Sequence, residues 1–496
     1  MVGYKRKGFD YSLKITYFQG FRHDYLREHY LPTLNRFRNE GVRAAHGMQP
    51  VFTTLTYPNH ISIATGMYPE EHGIVHNSFY DRLLKLTIGL DNRDDGQWSD
   101  PKVEPIWITA TKQKVKSAVL FWPACHNEFY GVRPLIYSWL YTDNVSFREK
   151  IDNAIGYFRE LPVQFVMLYH FEPDKQGHTY GPDSPEVHNT LLRLDFDIEY
   201  LLDKTKKELN DDLNIIILSD HVYFKGMTNV TGVIRPFFEK YLSPTSVETN
   251  LLSGALFNVM PKRGLTRKVY NNLSNLPNVT VYRRDELPER FHYSKLEHRL
   301  GEITVLPNSE GQIISRATTK KVYNKKGNHG WDNTLATMQA IFMARGPSFN
   351  KNVSIDSLNN VDIYHIACHI LKLNPNPHAT AGSIVYLTSI FRTIENMTAS
   401  STSTSISSTI ATFTTTMNDA SCLYSIYVLT EKKIFIISLY RVLHSTVLRN
   451  SDRSPLVENQ DNDFEVNFVE IATIHELNLI SMYNGTGVVF IRNSIF

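Results

Sequence analysis

Three short stretches of this chain hold side chains of the kinds that bind metal ions. In FEPDKQGH (171–178), Asp174 and His178 are four residues apart, so one helical turn brings a carboxylate and an imidazole to the same side. The plainer reading is a helix-capping Asp with a surface His. Ser219-Asp220-His221 follows the apolar run LNIIIL, at a strand end, where α/β proteins place their sites. The plainer reading there is a cap beside a supporting His. In GNHGWDN (327–333), His329 sits between two glycines, which let backbone approach a ligand closely or simply turn the chain.

Together these stretches offer Asp174, His178, Asp220, His221 and His329. Carboxylates and imidazoles suit Zn²⁺ or a similar divalent ion, and five donors are too many for one tetrahedral ion and suit two. Paired metal sites commonly serve in-line displacement at phosphorus. That chemistry gives a role to Thr56 in TTLTYPNHISIATG (53–66). A threonine hydroxyl is a poor nucleophile at neutral pH until a metal or base activates it, and helix amides just after it can receive a phosphate. Thr56 as an N-cap with Pro58 in the first turn is compatible with that role.

These residues need a scaffold. LKITYF (13–18), SAVLFW (117–122), QFVMLYH (164–170) and LNIIILS (213–219) read as buried strands. Helical patterns lie between them, at 24–41 with a break or turn at Pro32, and at 184–209. This alternation predicts an α/β fold, a central, mostly parallel sheet flanked by helices, with ligands beyond the carboxyl ends of the strands.

The chain has 496 residues, 42% of them hydrophobic and 21% charged, which is ordinary globular composition. A net charge of +2 argues against a nucleic-acid-coating protein. Cys125, Cys368 and Cys422 are too few and too scattered for a disulfide framework or a cysteine zinc site. No run approaches the ~18–20 apolar residues of a membrane span, and membrane attachment is not evident. The start, MVGYKRKGFDYSLKITYF, lacks the apolar core of a signal peptide. Seven N-x-Ser/Thr sequons, at Asn144, Asn229, Asn272, Asn278, Asn352, Asn396 and Asn484, lean toward an extracellular or secretory-lumen glycoprotein. The expected organisation is a catalytic domain over 1–392, a Ser/Thr-rich linker over 393–420, and a C-terminal segment over 421–496 that carries strand-like runs. DNDFEVN (461–467) fails as a calcium loop, because Val466 stands where a glycine is needed and Ala472 where a bidentate Glu is needed.

Five collinear stretches resemble the ectonucleotide pyrophosphatase/phosphodiesterase family of the alkaline phosphatase superfamily. They are TLTYPNHISIATGMYPEEHGIVHNSFYD (54–81), EPIWITATKQKVKSAVLFWPA (104–124), YHFEPDKQGHTYGP (169–182), IIILSDH (215–221) and GNHGWDNTLATMQAIFMARGPSF (327–349). The resemblance covers roughly residues 10–390 and implies an alkaline-phosphatase-like fold. It implies Thr56 as the nucleophile and Asn77 as a hydrogen-bond partner of a non-bridging phosphate oxygen. Asp174, His178 and His329 would hold one zinc, and Asp220, His221 and Thr56 the other. Tyr57 stands where the family often has Phe, and Tyr141 where an aromatic can stack on a base, so both are substrate-binding candidates.

The chain also departs from the family pattern. Gln19, in YFQGFRHDYL, occupies the place of an aspartate that ligates the nucleophile-side zinc, so that zinc is expected to be weak. Leu55 replaces a lysine, and SDHVYFKGM (219–227) interrupts a usual SDHGM. The reading is a zinc phosphodiesterase or nucleotide pyrophosphatase acting on a small, nucleotide-type phosphodiester. Its competitors are an extracellular binding protein that has lost catalysis, and a choline-phospholipid phosphodiesterase.

Overall fold

The computed structural model describes residues 12–89, 100–139, 141–220, 232–234, 241–314 and 326–392, together with five strands beyond residue 412. The chain divides into two compact units, Met1–Met397 and Thr398–Phe496.

The first unit is built on an eight-stranded sheet. Its strands are β1 (Leu13–Phe18), β2 (Val42–Ala44), β3 (Ser117–Leu120), β4 (Ile136–Tyr137), β5 (Phe165–His170), β6 (Asn214–Leu218), β7 (Phe342–Arg345) and β8 (Val353–Ile355). Across the sheet they run in the order β8-β2-β7-β6-β1-β5-β3-β4. Only β7 runs against its neighbours β6 and β2. The four expected strands are all present, and the mostly parallel α/β architecture is as expected.

Side chains alternate across the sheet and feed two cores. Leu13, Ile15, Tyr17, Phe165, Met167, Tyr169, Ile216 and Leu218 belong to one. Phe18, Val166, Leu168, Ile215 and Ile217 belong to the other. The second core is closed by α1 (Pro32–Glu40), α3 (Phe147–Glu160) and α4 (Pro185–Leu209); the first takes α2 (Thr56–Thr65) and α5 (Asp362–Leu371). The pattern at 24–41 does break at Pro32, which starts α1 because its missing N–H costs nothing there. Cys125 and Cys368 are buried free thiols whose ionisation burial pushes up to about 12.

A four-stranded antiparallel sheet, Val247–Leu252, Phe257–Pro261, Ile303–Pro307 and Val279–Arg283 in spatial order, packs on the helix Thr266–Leu273 around its own small core.

Register sets the position of the site. Leu13 pairs with Phe165 and with Asn214, so Phe18 ends beside His170, and Tyr17 beside Leu218. The segments holding Gln19, Asp174 and Asp220 therefore leave the same carboxyl edge.

In the second unit Phe413–Asn418, Ser421–Thr430 and Lys433–Tyr440 form an antiparallel sheet, and Ile480–Asn484 pairs with Gly487–Ile491. Phe413–Asn418 lies within the stretch read as linker, so that stretch includes a strand; residues 393–412 and the rejected calcium loop lie outside the described residues.

Candidate active site

Thr56 is the first residue of α2, and the extended residue Leu55 is its N-cap. The expected capping role thus shifts by one residue, because Leu55 already has the extended backbone of a cap. A ten-residue helix directs its first N–H groups and the positive end of its dipole past Thr56. One of those N–H groups, that of Tyr57, donates to the Asn77 side-chain oxygen at 2.8 Å. This brings Asn77 to the same helix end. The Tyr57 ring itself is fully buried in the main core, so its backbone N–H rather than its ring faces the site.

The loop before Thr56 is fastened by a residue that the sequence did not single out. Asn59 is fully buried; its side-chain oxygen accepts from Val51 N at 2.8 Å, and its NH₂ donates to Thr53 O at 2.9 Å and Leu55 O at 2.8 Å. The signal was present: an amide one turn into a helix whose remaining turns are mostly small or apolar.

On the other side of Thr56 lies Gln19. Its Nε2 donates to Thr56 Oγ1 at 3.0 Å, and its Oε1 accepts from the Tyr169 hydroxyl. The Tyr169 ring in turn lies against that of Tyr141, with centroids 5.8 Å apart. Tyr141 is 48% exposed, and its hydroxyl donates to Asp143. An aromatic face therefore stands open to solvent beside the site. Burial holds the Tyr169 phenol well above the usual range, so it stays protonated and can donate.

Asp174, His178 and His329 come together. Their donor atoms all lie within 4.8 Å of one another, although His329 is far along the chain. His178 and His329 each donate Nδ1–H to a backbone carbonyl, Gly327 O at 2.9 Å and Thr54 O at 2.7 Å. That fixes both tautomers and turns Nε2 toward the shared space, as in metal-binding imidazoles. The donor set of one carboxylate and two neutral imidazoles fits a zinc ion. The glycine after His329 has a backbone reason. Gly330 has φ +111°, and a Cβ there would meet Leu55 Cδ2 and Ala255 Cβ at 3.2 Å. It lets the loop pack onto the segment before Thr56.

Asp220 is completely buried at the end of β6. Its Oδ2 lies 3.5 Å from Nδ1 of the buried His60, which lies 2.6 Å from Thr56 O. The Tyr17 hydroxyl is 3.4 Å from the same nitrogen, and Trp122 Nε1 donates to His60 O at 3.3 Å. Tyr17 and Tyr169 were not legible as site residues, since an aromatic inside an apolar strand reads as core, and His60 was not legible because its partner Asp220 lies far along the chain. His221 and the interrupted segment after it lie outside the described residues.

Two hydrogen bonds to main-chain carbonyls join the clusters. Gln19 O accepts from Asp174 N at 3.1 Å, and the His329 bond to Thr54 O reaches two residues before Thr56. The result is a hydroxyl at a helix N-terminus linked to a cluster of one carboxylate and two imidazoles that could hold a cation, with an exposed aromatic nearby, an arrangement suited to a phosphate ester.

Known proteins similar to this chain identify its family and fold. Residues 17–332 match the model of the family described as type I phosphodiesterase / nucleotide pyrophosphatase. Human ectonucleotide pyrophosphatase/phosphodiesterase family member 5 is 34% identical over 73% of this chain and 74% of its own length. A bovine bis(5'-adenosyl)-triphosphatase is 36% identical over 74% of this chain and 79% of its own length. The solved structure of murine ectonucleotide pyrophosphatase/phosphodiesterase 5 superposes with a TM-score of 0.70 at 32% identity, covering 77% of this chain and all of that one. An inactive form of the murine protein in complex with AMP superposes equally well.

Proposed function

The chain belongs to the type I phosphodiesterase / nucleotide pyrophosphatase family of phosphodiester hydrolases, and on that premise we propose that it cleaves a nucleotide-type phosphodiester or pyrophosphate with Thr56 as nucleophile and zinc as cofactor. The observation that carries this reading is the joining of Thr56, at the start of α2, to the triad Asp174, His178 and His329 through the Thr54–His329 bond.

Thr56 Oγ1 loses its proton and forms a bond to phosphorus as the bond to the leaving oxygen breaks, and a proton returns to that oxygen from solvent. Water then attacks the threonyl phosphoester, breaks its P–O bond and returns the hydroxyl. Asn77, held against the Tyr57 N–H, is positioned to orient a non-bridging oxygen. First-turn amides of α2 offset negative charge on the phosphate. Asp174, His178 and His329 would hold a zinc ion, which would supply positive charge to offset the negative charge of a phosphoryl oxygen. Asp220 and His221 are the proposed donors on the nucleophile side. The exposed ring of Tyr141 offers a stacking face for a base.

The bis(5'-adenosyl)-triphosphatase relative and the AMP-bound murine structure support a nucleotide substrate. The sequons at Asn144, Asn278 and Asn352 are exposed, which supports a secretory-route glycoprotein; no described helix is long and apolar enough to cross a membrane. Gln19 favours a second reading, a binding protein with weakened catalysis, because the family resemblance implies an anionic ligand where this chain has a neutral amide.

The test is hydrolysis of a nitrophenyl nucleotide ester, ATP and lysophosphatidylcholine, with and without added zinc, by the parent and by Thr56→Ala. Zinc-stimulated turnover of the nucleotides that Thr56→Ala abolishes is the expected result. Turnover of the lipid alone moves the substrate to phospholipids, and absence of turnover at all zinc concentrations selects the binding protein.

A further inference from the structure

We propose that Gln19 is not a metal ligand but a positioning residue that orients the Thr56 hydroxyl through a hydrogen-bonded bridge to Tyr169. This rests on the reading of Thr56 as nucleophile.

Position 19 follows β1 and is buried. Its main chain is held at both ends: Gln19 N donates to His170 O at 2.9 Å, and Gln19 O accepts from Asp174 N at 3.1 Å. The side chain is thus aimed from a fixed base. It spans two hydroxyls, accepting from Tyr169 and donating to Thr56 Oγ1 at 3.0 Å. An amide carries one acceptor oxygen and two N–H donors, and both ends are used. Turning Oε1 toward a cation beside Thr56 would remove the acceptor of the buried Tyr169 proton.

Charge leads to the same conclusion. A carboxylate in this buried position would require a cation to offset its desolvation, whereas a neutral amide bridges two hydroxyls without one. Both partners are ring- or helix-borne: Tyr169 lies in β5 against Tyr17, with centroids 5.6 Å apart, and Thr56 starts α2. Such a rigid bridge fixes where Thr56 Oγ1 points. Its N–H also stabilises the negative charge that develops on that oxygen as the hydroxyl proton leaves, which is where a preorganised donor acts on rate. The triad of Asp174, His178 and His329 does not include Gln19, so a metal held there would not depend on position 19.

The test compares the parent with Gln19→Leu, Tyr169→Phe and the double variant. The two substitutions keep most of the side-chain volume, and thermal melts check folding. Zinc equivalents per chain are measured by atomic spectroscopy after dialysis at fixed free zinc. The kcat and KM are measured with a nitrophenyl nucleotide ester.

All four proteins should hold the same zinc. Gln19→Leu should lower kcat about 10- to 100-fold, the scale of one hydrogen bond to a charged group, with KM within about 2-fold. Tyr169→Phe should lower kcat less, and the double variant should be no slower than Gln19→Leu, because both remove one bridge. Loss of a zinc equivalent in Gln19→Leu overturns the proposal by making position 19 a ligand. Multiplicative losses in kcat overturn the bridge. If the parent itself shows no turnover, the nucleophile reading fails and zinc alone decides position 19: unchanged in Gln19→Leu upholds its non-ligand role, and lower overturns it.

Discussion

His329 Nδ1 donates to the carbonyl oxygen of Thr54 at 2.7 Å, which ties the third member of the triad to the loop that leads into Thr56. One imidazole therefore couples the Asp174–His178–His329 cluster and the proposed nucleophile in a single hydrogen-bonded frame.

His329→Ala should weaken zinc binding at the triad by at least about 100-fold, since it removes a ligand where loss of a mere supporting partner already costs 10–100-fold. Turnover should fall in parallel. Calorimetric titration of zinc checks the affinity, and an unchanged stoichiometry and affinity would remove His329 from the metal group.

Asn59→Ala should destabilise the fold by about 2–4 kcal/mol, because three hydrogen bonds to the 51–55 loop are lost at a fully buried position. The loop sets the entry to Thr56, so kcat should fall as well. Denaturant melts and steady-state kinetics read the two effects. A variant as stable as the parent would mean that the loop is held by its packing alone.

The edge of the site was legible in the sequence, and its hydrogen bonds were not. Gln19, Asp174 and Asp220 each follow an apolar run, and buried parallel strands put such positions on one edge. Asp174 and His178 were legible by helical spacing, and they do fall on one short helix. His329 could be joined to them only through the family resemblance, since no periodicity links positions so far apart. The bridge from Tyr169 to Gln19 to Thr56 spans three elements; Tyr169 looks like core because its strand is apolar throughout, and only the register places its hydroxyl at the edge. The same holds for Asn59 and for His60, whose partners lie on loops and strands that local pattern does not pair.

Gln19→Asp should tighten a second zinc on the nucleophile side. It restores a negative charge beside the position a dication would take, and at an effective dielectric near 20 such a pair attracts by several kcal/mol before desolvation is subtracted, with charges roughly 4 Å apart. Zinc titrations of both proteins, followed by bound metal and by nitrophenyl ester hydrolysis, decide the matter. Superimposable curves would mean that position 19 does not border a metal in either form.

Lys14 gives a prediction about stability that is independent of the site. It lies in β1 between Val166 and Ile215, on the face that packs against α3 and α4, and it is fully buried. Burial pushes its ammonium down to about 7, with only the nearby Asp152 opposing. Asp152 is already shared, accepting from the Tyr200 hydroxyl at 2.7 Å and pairing with Lys204 at 3.0 Å. The folded-state value lies below the unfolded one, so between pH 7 and 10.5 the unfolded chain holds a proton that the folded chain has released. Stability from this group therefore rises with pH across that window, and the full penalty of burying the charge is felt below about pH 7. Lys14→Met fills the same space without a charge. It should stabilise the protein at pH 6 by up to about 5 kcal/mol, an upper limit from a shift of some 3.5 pH units at 1.36 kcal/mol each. The gain should shrink steadily toward pH 10, while the other titrating groups cancel in the difference between the two proteins. Denaturant melts of parent and variant at pH 6, 8 and 10 measure it. A stability difference that is constant across the three would show that Lys14 keeps an ordinary ammonium in the folded state, reaching solvent or a partner from within the sheet.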